Sequence, residues 1–535
     1  KNSLDSACRI LGHNSNEMYV KEIKEIVGLK DENKNELDIE EEDEVNLNES
    51  EFLNTILKDN TKAKHRIQDD TEFDEVLNIS AKLVGKMRNI GVHASGVLIS
   101  NSNVDNYVPI NNIGGRVVSQ YDKVDVELAG LVKFDFLGLK NLTVIKEALD
   151  LINASREKQN LSKITTHHIN ANIYDENVYK DIFSNGNTLN VFQFASPPMR
   201  KMLKDAEPDR FEDLIALVSL FRPGPMDNIP SFIARKKGIE PIVHLDVNCQ
   251  ALIDILEPTY GIIVYQEQVM QIAQAYAGYT LGGADLLRRA MGKKKPEEMA
   301  KQKGVFVEGA VKNGYSEEKA IEIFELMEKF AAYGFNKSHA AAYALVSFQT
   351  AWLKKYYPAQ YLTAVLNSQI GENKNKDIYI SLEDARLNGL NVLPIDINFS
   401  YQKFVIDENH NIRMPFTVIK GVSKAQISQI INNREKLRED NLLEESDKVY
   451  NSFFDFIKDN RKLLKESVMK PLIEINTFYN IETIENQSWL LENSKLMLNQ
   501  INAELGNDDS IFGYLSDVYR KNKRVKVENV EYKKV

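Results

Sequence analysis

The sequence predicts a multidomain α+β protein, and three observations support this prediction. The chain has 535 residues, whereas a typical domain has about 150. Residues 130–140, GLVKFDFLGLK, alternate apolar and polar side chains as a β-strand does. Residues from about 142 to 395 are mainly helical in pattern, and their loops are rich in proline and glycine, as at FRPGP (221–225), EPTYG (257–261) and TLGGAD (280–285).

The first part of the chain is predicted to hold both helices and strands. A solvated loop or poorly ordered insertion is expected at the acidic run 31–51, because dense like charge opposes compaction. In chain order, the patterns predict helix at 1–30, helix at 73–90, strand at 91–100, further strands within 107–137 that end at Gly138, and a helix from Asn141 to about Ser155.

In the second part, residue types typical of helix ends predict where helices begin. Pro296 fits the first position of a helix, and Ser316 is expected to cap the next helix. The apolar stripe of that helix, Ala320, Ile323, Phe324, Met327 and Phe330, predicts core packing. Residues 396–415 predict a small β element, and Ser423 with Gln426 predicts a capping box.

Composition indicates a globular protein without a membrane span. Hydrophobic residues make up 43% and charged residues 27% of the chain. The net charge of −11 argues against a nucleic-acid-binding protein when taken alone, although basic residues cluster at 288–304 and at 200–204. Two cysteines, Cys8 and Cys249, are too few for a disulfide framework, and no signal peptide is apparent, so we expect a cytoplasmic location.

The alternating strand places Lys133 and Asp135 on one face and Val132, Phe134 and Phe136 on the other. A carboxylate beside an ammonium suits a metal ion and the phosphate that the ion neutralises. The alternative is the exposed polar face of an amphipathic strand. Residues 130–140 alone do not decide between these two interpretations.

Three long blocks together resemble the catalytic subunit of bacterial DNA polymerase III, a family of replicative polymerases. They are GLVKFDFLGLKNLTVI (130–145), LFRPGPMDNIPSFIARKKG (220–238), and the segment that runs from PTYGIIVYQEQ through YGFNKSHAAAYALVSFQTAWLKKYYP (258–358). The resemblance covers about residues 1–425 and weakens towards the end.

The resemblance implies a mixed-sheet palm segment, a large and mainly helical fingers region and a small α/β tail. Under it, residues 1–75 correspond to part of the thumb, 76–141 to a palm segment, 142–395 to the fingers, and 396–535 to a tail that leads to a clamp-binding region. The chain begins with Lys1 inside a predicted helix, so we expect it to be a piece of a longer polypeptide.

The resemblance also implies chemistry with two Mg²⁺ ions held by three palm carboxylates. Asp135 matches the third carboxylate, and the other two are expected upstream of Lys1. Lys133 would then meet nucleotide phosphates or the primer backbone. Because one carboxylate cannot hold two divalent cations against hydration, this piece alone is expected to be inactive.

Five basic residues follow the loop TLGGAD within ten positions. The resemblance implies that Arg288 and Arg289 hold the triphosphate of the incoming nucleotide, as guanidinium groups bind phosphate bidentately. The alternative is a basic helix end that complements the helix dipole. Lys293 and the lysines after it either touch the DNA backbone or face solvent. No GxxxxGK[ST] loop is present, which argues against an ATPase.

Other residues are expected to touch or position DNA. By resemblance, the segment YGFNKSHAAAY (333–343), with Lys337 and His339, lies against the nascent base pair, because small side chains allow a close approach. His93 and Ser95 are predicted to share a strand face near the palm and to have a positioning role. Arg222 is expected to anchor a turn, with contact to the template as the alternative.

Several positions depart from the family pattern. Ala195 and Pro198 stand where members have a glutamate and a glycine, so the site either tolerates two successive prolines or has an altered fingers entry. Ser423 and Asn476 replace expected glycines of a helix-hairpin-helix, which makes DNA contact by the tail doubtful. DDSIFG (508–513) resembles a clamp-binding peptide but has Asp508 in place of the leading glutamine.

These observations predict a part of a template-directed DNA polymerase that extends a primer 3′ end. The expected partners are primer-template DNA, deoxynucleoside triphosphates and other replicase subunits, including the sliding clamp. One alternative is a non-catalytic DNA-binding or scaffolding remnant of such a polymerase. Another is an unrelated helical interaction module, which the three motif blocks disfavour.

Overall fold

The computed structural model describes residues 2–13, 17–27, 57, 60–84, 86, 91–93, 95–293, 296–331, 333–371, 375–461 and 463–503. The chain divides into two compact units, Lys1–Gly138 and Leu139–Val535. Each unit has its own hydrophobic clusters and is described by itself. None of the described helices is both long enough and apolar enough to cross a membrane.

The first unit contains five described α-helices and four short strands. The helices are α1 Asn2–Ile10, α2 Met18–Ile26, α3 Thr61–Asp69, α4 Thr71–Leu83 and α5 Lys123–Leu128. The strands are β1 Gly96–Ile99, β2 Ile110–Ile113, β3 Arg116–Ser119 and β4 Val132–Asp135.

Helix α4 illustrates how the local sequence forms the helical part of this unit. The Asp70 side chain accepts hydrogen bonds from the backbone N–H groups of Glu72 and Phe73, both at 3.1 Å, and so caps the helix. Phe73, Val76 and Leu77 lie on one stripe and pack in a core with α1 and α2. The predicted acidic loop at 31–51 lies outside the described residues.

The strands of the first unit form two separate antiparallel ribbons, β1 with β4 and β2 with β3. Gly114 and Gly115 join β2 to β3, and both have positive φ, as the tight turn of such a hairpin requires. The mixed sheet expected for the palm segment is not seen among the residues described. Helix α5 interrupts the run of strands that was predicted within residues 107–137. Asp122 caps the start of this helix, because its side chain accepts from the Asp125 N–H at 2.9 Å.

The second unit is mainly helical, as predicted for residues 142–395. Its described α-helices of six or more residues up to the tail are α6 Lys140–Lys158, α7 Thr166–Ala171, α8 Pro197–Ala206, α9 Phe211–Leu220, α10 Ile229–Lys236, α11 Gln250–Leu256, α12 Gln266–Ala277, α13 Leu281–Lys293, α14 Pro296–Lys312, α15 Glu317–Ala331, α16 Lys337–Tyr356, α17 Pro358–Gln369 and α18 Asn375–Leu387.

Helix α16 is the centre of the larger core of this unit. It packs against α6, α9 and α17, and its buried face carries Ala340, Ala344, Phe348 and Ala351. Small side chains at the first two of these positions allow neighbouring helices to approach closely, whereas Phe348 fills the space further along.

A second core in this unit is built by α11 to α15. The predicted Pro296 helix start is confirmed, and the Ser316 side chain accepts from the Lys319 N–H at 3.2 Å, which confirms its capping role. Four residues of the predicted stripe of α15 are fully buried and Phe330 is partly buried.

The tail contains a small sheet and four helices; the helices share a core of their own, whereas Ile412 and Val392 of the sheet pack in the larger core. Strands β5 Val392–Leu393, β6 Val405–Ile406 and β7 Ile412–Arg413 have the order β5-β7-β6, parallel and then antiparallel. The helices are α19 Lys424–Asp440, α20 Phe453–Asn460, α21 Glu466–Glu474 and α22 Ile484–Ala503. The predicted β element and the Ser423–Gln426 capping box are both confirmed.

The described backbone accommodates three of the departures from the family pattern. Pro197 and Pro198 occupy the first turn of α8, where missing N–H groups cost nothing. Asn476 adopts φ +62°, a left-handed conformation that asparagine tolerates in place of glycine. Ser423 caps α19.

Candidate active-site residues

The first candidate residues lie on the ribbon formed by β1 and β4 in the first unit. The register pairs Asp135 with Gly96 and Lys133 with Leu98, which places both charged side chains on one face. The Lys133 Nζ lies 3.5 Å from the Asp135 Oδ1. The predicted side-by-side arrangement of these two residues is therefore present, with half of the Asp135 side chain exposed.

His93 and Ser95 precede β1 and do not share a strand face, so that prediction is wrong. The His93 Nδ1 accepts hydrogen bonds from the backbone N–H groups of Gly96 at 2.7 Å and Ser95 at 3.2 Å, which folds the chain into a turn. Because Nδ1 is an acceptor here, its 3.8 Å separation from the Asp135 Oδ1 is not a hydrogen bond. This arrangement leaves the proton of a neutral His93 on Nε2.

Because Gly96 has no side chain, the His93 ring and the Lys133 side chain can lie close to its backbone on this face. A Cβ at this position would lie 3.0 Å from the His93 Nδ1 and 3.3 Å from the Lys133 Cδ. The Lys133 stem therefore passes over the glycine, next to the histidine ring. The opposite, apolar face is not packed, since Val132 and Phe134 are exposed, as is Phe136 beyond the strand. A two-stranded ribbon has no further strand to carry covering side chains.

The number of possible metal ligands decides whether the described residues fit the two Mg²⁺ ions that the resemblance implies. Among the described residues, no group of three or more His, Cys, Asp or Glu side chains is placed to hold a metal ion. Asp135 offers a single exposed carboxylate with an ammonium beside it. The described residues therefore do not by themselves fit a site for two ions, although Asp135 could supply one ligand to such a site.

The second candidate group lies on α13 in the second unit. Arg288 donates from Nε and Nη2 to the Asp285 Oδ1, at 3.0 and 2.8 Å. Arg289 lies 2.9 Å from the Asp285 Oδ2 through its Nε. The hydrogen bonds from Arg288 hold the pKa of the Asp285 carboxyl below its usual range. One carboxylate thus orients two guanidinium groups, and the three side chains together carry one net positive charge.

Gln266, the first residue of α12, connects this arginine pair to another predicted site segment. Its Oε1 accepts from the Arg288 Nη1 at 3.2 Å, and its Nε2 donates to the Gly334 carbonyl at 3.0 Å. The backbone adds a further link, because the Gln266 N–H donates to the Phe335 carbonyl at 2.9 Å. The structure therefore brings α13 and the segment 333–343 together through a single amide side chain.

The segment 333–343 begins as an ordered loop and continues as α16. Asn336 caps the helix by accepting from the His339 N–H at 2.7 Å, and the Glu267 carboxylate accepts from the Lys337 N–H at 2.9 Å. The Lys337 Nζ lies 5.4 Å from the centre of the Tyr265 ring, and the His339 ring lies 4.2 Å from that of Tyr343.

The small residues of this segment divide between two faces. Ser338 and Ala342, one helical turn apart, are exposed together with His339. The small side chains of the segment were expected to allow the close approach of a base pair, but Ala340 is fully buried in the core. The helical period explains the difference, since adjacent positions on a helix point about 100° apart.

Arg222 anchors this loop, which agrees with the first of the two roles that were predicted for this residue. It donates from Nε to the Ser219 carbonyl at 3.1 Å and from Nη2 to the Tyr333 carbonyl. Its guanidinium also lies 4.6 Å from the centre of the Phe335 ring. The adjacent Gly224 has φ +93°, and a Cβ there would lie 2.9 Å from the Tyr333 ring.

Three residues of this site were not predicted. Asp285 stands three and four positions before the arginines, a spacing that could have indicated the ion pairs. Gln266 and Glu267 act across elements, and no local pattern indicates that. Lys293 is the last residue of α13, and its side chain is outside the described residues, as are Lys294 and Lys295.

Comparison with known protein families gives three matches. Residues 6–138 match the bacterial DNA polymerase III alpha NTPase domain, residues 141–314 match the bacterial DNA polymerase III alpha subunit finger domain, and residues 389–487 match a helix-hairpin-helix motif. The second match includes Arg288 and Arg289, and the first includes Lys133 and Asp135.

Several curated relatives carry the same name. The DNA polymerase III subunit alpha of Neisseria meningitidis serogroup A is 45% identical over 475 residues, which cover 86% of this chain and 39% of that protein. Those of Xylella fastidiosa strain 9a5c and Escherichia coli K12 are each 49% identical, over 70% and 69% of this chain and 32% of their own length.

This chain thus spans about a third of the length of these relatives, or slightly more. Three consecutive family matches and the identity to relatives from several bacteria agree with one another. The chain belongs to the family of bacterial DNA polymerase III alpha subunits.

Proposed function

We propose that this chain is part of a DNA-directed DNA polymerase that adds deoxynucleotides to the 3′ end of a primer on a template. The observation that carries the proposal is the arginine pair on Asp285, linked through Gln266 to the segment 333–343. This arrangement fixes two phosphate-binding groups next to a surface of small and aromatic side chains. The names of the relatives support the same reaction.

Arg288 and Arg289 would hold the triphosphate of the incoming nucleotide. Asp285 neutralises only one of their two charges, and the Arg289 side chain remains 64% exposed. Guanidinium groups stay charged at any working pH and donate to phosphate in a fixed fork. Asp285 and Gln266 restrain the side chain of Arg288 before the nucleotide arrives, so less conformational entropy is lost on binding.

Asp135 would supply one ligand to the Mg²⁺ ions of the intact enzyme. Bound magnesium would lower the pKa of the primer hydroxyl and stabilise the charge that develops on the transferred phosphoryl group. Lys133 keeps an ammonium group 3.5 Å from that carboxylate, where it could meet a phosphate. His93 orders the adjacent turn through Gly96 and Ser95 and would have a positioning role.

The exposed start of α16 would contact the nascent base pair. Ser338 and Ala342 present little bulk, and His339 is supported by its ring contact with Tyr343. Lys337 is held near Tyr265 and would contact DNA phosphate rather than a base. Lys293 remains a proposed DNA contact on the basis of its sequence position alone.

The arginine assignment is tested by nucleotide kinetics of the intact protein. Changing Arg288 and Arg289 individually to alanine should lower kcat/KM for the nucleotide about 10- to 100-fold each, because a charge-assisted contact contributes about 1.5–3 kcal/mol. Arg386→Ala is the matched control, since Arg386 is also a helical arginine paired with a carboxylate three residues earlier. Unchanged nucleotide dependence in both site variants would remove the pair from the active site.

A second candidate is a non-catalytic DNA-binding or scaffolding remnant of such a polymerase. The lack, among the described residues, of any group of three or more side chains placed to hold a metal ion favours it. The coding sequence upstream of Lys1 distinguishes the two candidate functions. Two aspartates spaced by one residue on a predicted strand would support the enzyme, because that spacing places both on one face.

The domain roles and partners remain proposals. We propose that residues 1–75, 76–141, 142–395 and 396–535 serve as thumb, palm, fingers and tail, and that the intact protein works in the cytoplasm with other replicase subunits. The predicted clamp-binding peptide DDSIFG lies outside the described residues. Its function therefore rests on sequence alone.

A further inference from the structure

A pocket of about 300 Å³ lies in the second unit, at the end of α16 opposite to the candidate active site. It is lined mainly by cationic and aromatic side chains, namely Arg156, Lys163, His168, Trp352, Tyr356 and Tyr357. From His339 to Trp352 the helix advances 13 residues, which is about 20 Å at the helical rise. The pocket is therefore separate from the proposed nucleotide site.

The aromatic residues form a contiguous surface. The Trp352 ring lies 5.0 Å from Tyr356, 5.9 Å from Tyr357 and 5.9 Å from His168, measured between ring centres. Trp352 is nearly buried and forms the floor, whereas Tyr356 and His168 are exposed. A planar ligand could therefore stack on the exposed aromatic rings that lie next to the buried indole.

The two permanent cations of the pocket, Arg156 and Lys163, have no carboxylate partner among the described residues. Arg156 donates from Nε to the Ser162 carbonyl at 2.7 Å and from Nη1 to the Tyr357 hydroxyl at 3.4 Å, so its guanidinium is fixed by neutral partners. Within the described ranges, neither Arg156 nor the exposed Lys163 forms an ion pair. The nearby Asp175 carboxylate instead accepts the Tyr356 hydroxyl at 2.6 Å, which orients that ring.

We propose that this pocket binds a nucleotide unit, with the base stacked on Tyr356 and His168 and the phosphate held by Arg156 and Lys163. The volume matches a small ligand site, and an ordered guanidinium beside stacked aromatic rings suits an aromatic ring that carries an anionic group. Sequence-tolerant binding of single-stranded nucleic acid uses the same combination of basic and aromatic side chains. The unit could belong to single-stranded DNA or to a free mononucleotide.

Tryptophan fluorescence can test this directly. The chain has two tryptophans, Trp352 and Trp489, so a Trp489→Phe variant makes Trp352 the sole reporter. The 535-residue chain is titrated with an oligothymidylate and, separately, with thymidine monophosphate. If Trp489→Phe does not fold, the signal is obtained as the difference between the parent chain and a Trp352→Phe variant.

We expect saturable quenching of Trp352 by the oligonucleotide. Tyr356→Leu should weaken binding about tenfold through the loss of stacking, whereas Tyr356→Phe keeps the ring and should bind like the parent. Lys163→Gln should lower the slope of log K against log salt by about 0.7, the value for one contact to a single strand. Tyr379→Leu and Lys312→Gln alter exposed residues outside the pocket and serve as controls.

The two ligands distinguish the source of the nucleotide. Quenching by both assigns the pocket to a free nucleotide or a strand end, and quenching by the oligonucleotide alone assigns it to single-stranded DNA. The proposal is overturned if neither ligand changes Trp352 fluorescence. It is also overturned if Tyr356→Leu and Lys163→Gln bind the oligonucleotide as the parent does. Because the pocket residues take no part in the proposed reaction, these outcomes are independent of the arginine kinetics.

Discussion

Gly309 in α14 is a residue whose side chain is limited by a neighbouring helix. A Cβ at this position would lie 2.2 Å from the backbone carbonyl oxygen of Ala277, the last residue of α12. Backbone atoms cannot move aside as a flexible side chain can. The absence of a side chain at Gly309 is therefore what allows α12 and α14 to approach at this point.

We predict that Gly309→Ala destabilises the second unit by about 1–3 kcal/mol, because the helices must separate to accommodate the methyl group. Gly304 lies on the same helix, and no atom lies within 4 Å of the position that a Cβ would occupy there, so Gly304→Ala should be neutral or stabilising by up to about 1 kcal/mol. Hydrogen exchange of the α12 and α14 amides measures the change in stability for each of the two variants. Equal protection in the two variants would contradict the close approach.

His13 provides a pH-dependent contact in the first unit. Its Nδ1 lies 3.0 Å from a Glu17 carboxylate oxygen and its Nε2 lies 2.8 Å from one of Glu72. Both ring nitrogens can donate only when the imidazole is protonated. The hydrogen bond with Glu72, followed by that with Glu17, raises the pKa of His13 above its usual value of 6.5.

We predict that this contact stabilises the first unit at low pH and weakens as pH rises. A raised pKa in the folded state means that the contribution is complete below about pH 6.5 and is lost as pH passes through the raised value. Exchange protection of α1 and α4, corrected for intrinsic rates, should fall as the pH rises above about 6.5. His13→Gln should reduce this pH dependence, and an identical profile in the variant would refute the assignment.

At the scale of the element, a buried ion pair joins parts of the second unit that are distant in sequence. The Lys354 Nζ lies 2.7 Å from the Asp384 Oδ1, and both side chains are inaccessible to solvent. Lys354 also donates to the Leu189 carbonyl at 2.8 Å, and Asn190 donates to Asp384 at the same distance. Burial lowers the pKa of Lys354, although the Asp384 carboxylate opposes that shift.

We predict that Lys354→Met destabilises the second unit by about 3–5 kcal/mol, because it leaves Asp384 as an unpaired buried charge. The double variant Lys354→Met, Asp384→Leu should be less destabilised than the single one, since neither charge then remains. Denaturant unfolding, followed by far-UV circular dichroism, gives the comparison. A single variant as stable as the double variant would show that the pair does not hold α16 and α18 together.

Elements with strong local signals were predictable from the sequence, whereas contacts between elements were not. Serine and aspartate at helix starts accept from neighbouring N–H groups, and proline fits the first position because its missing N–H has no partner there, so the starts at Pro296 and Ser316 follow from sequence alone. Helix α5 was missed although Asp122 could have indicated its cap. Gln266 bridges Arg288 and Gly334, which are 22 and 68 residues away, and no periodicity encodes such a contact.

At the scale of the whole molecule, the candidate site was predicted to different degrees in the two units. The shared face of Lys133 and Asp135 follows from the period of a strand, and the structure confirms it. The exposure of Val132 and Phe134 was not predictable, because it depends on what other strands and helices cover the ribbon. The arginine pair was recognised from its motif, and its orientation by Asp285 emerged from the structure.

The number of carboxylates leads to a prediction for the chain as a whole. Two-metal phosphoryl transfer needs several oxygen ligands, and the described residues hold no group of three or more His, Cys, Asp or Glu side chains around Asp135. We predict that the purified 535-residue chain does not extend a primer above background under conditions in which the Escherichia coli relative does, as measured by gel analysis of a labelled primer. In the intact protein, Asp135→Asn should abolish extension, whereas Asp122→Asn, at an exposed helix cap, should retain it. Robust extension by the chain alone would show that it holds its metal ions without further palm carboxylates.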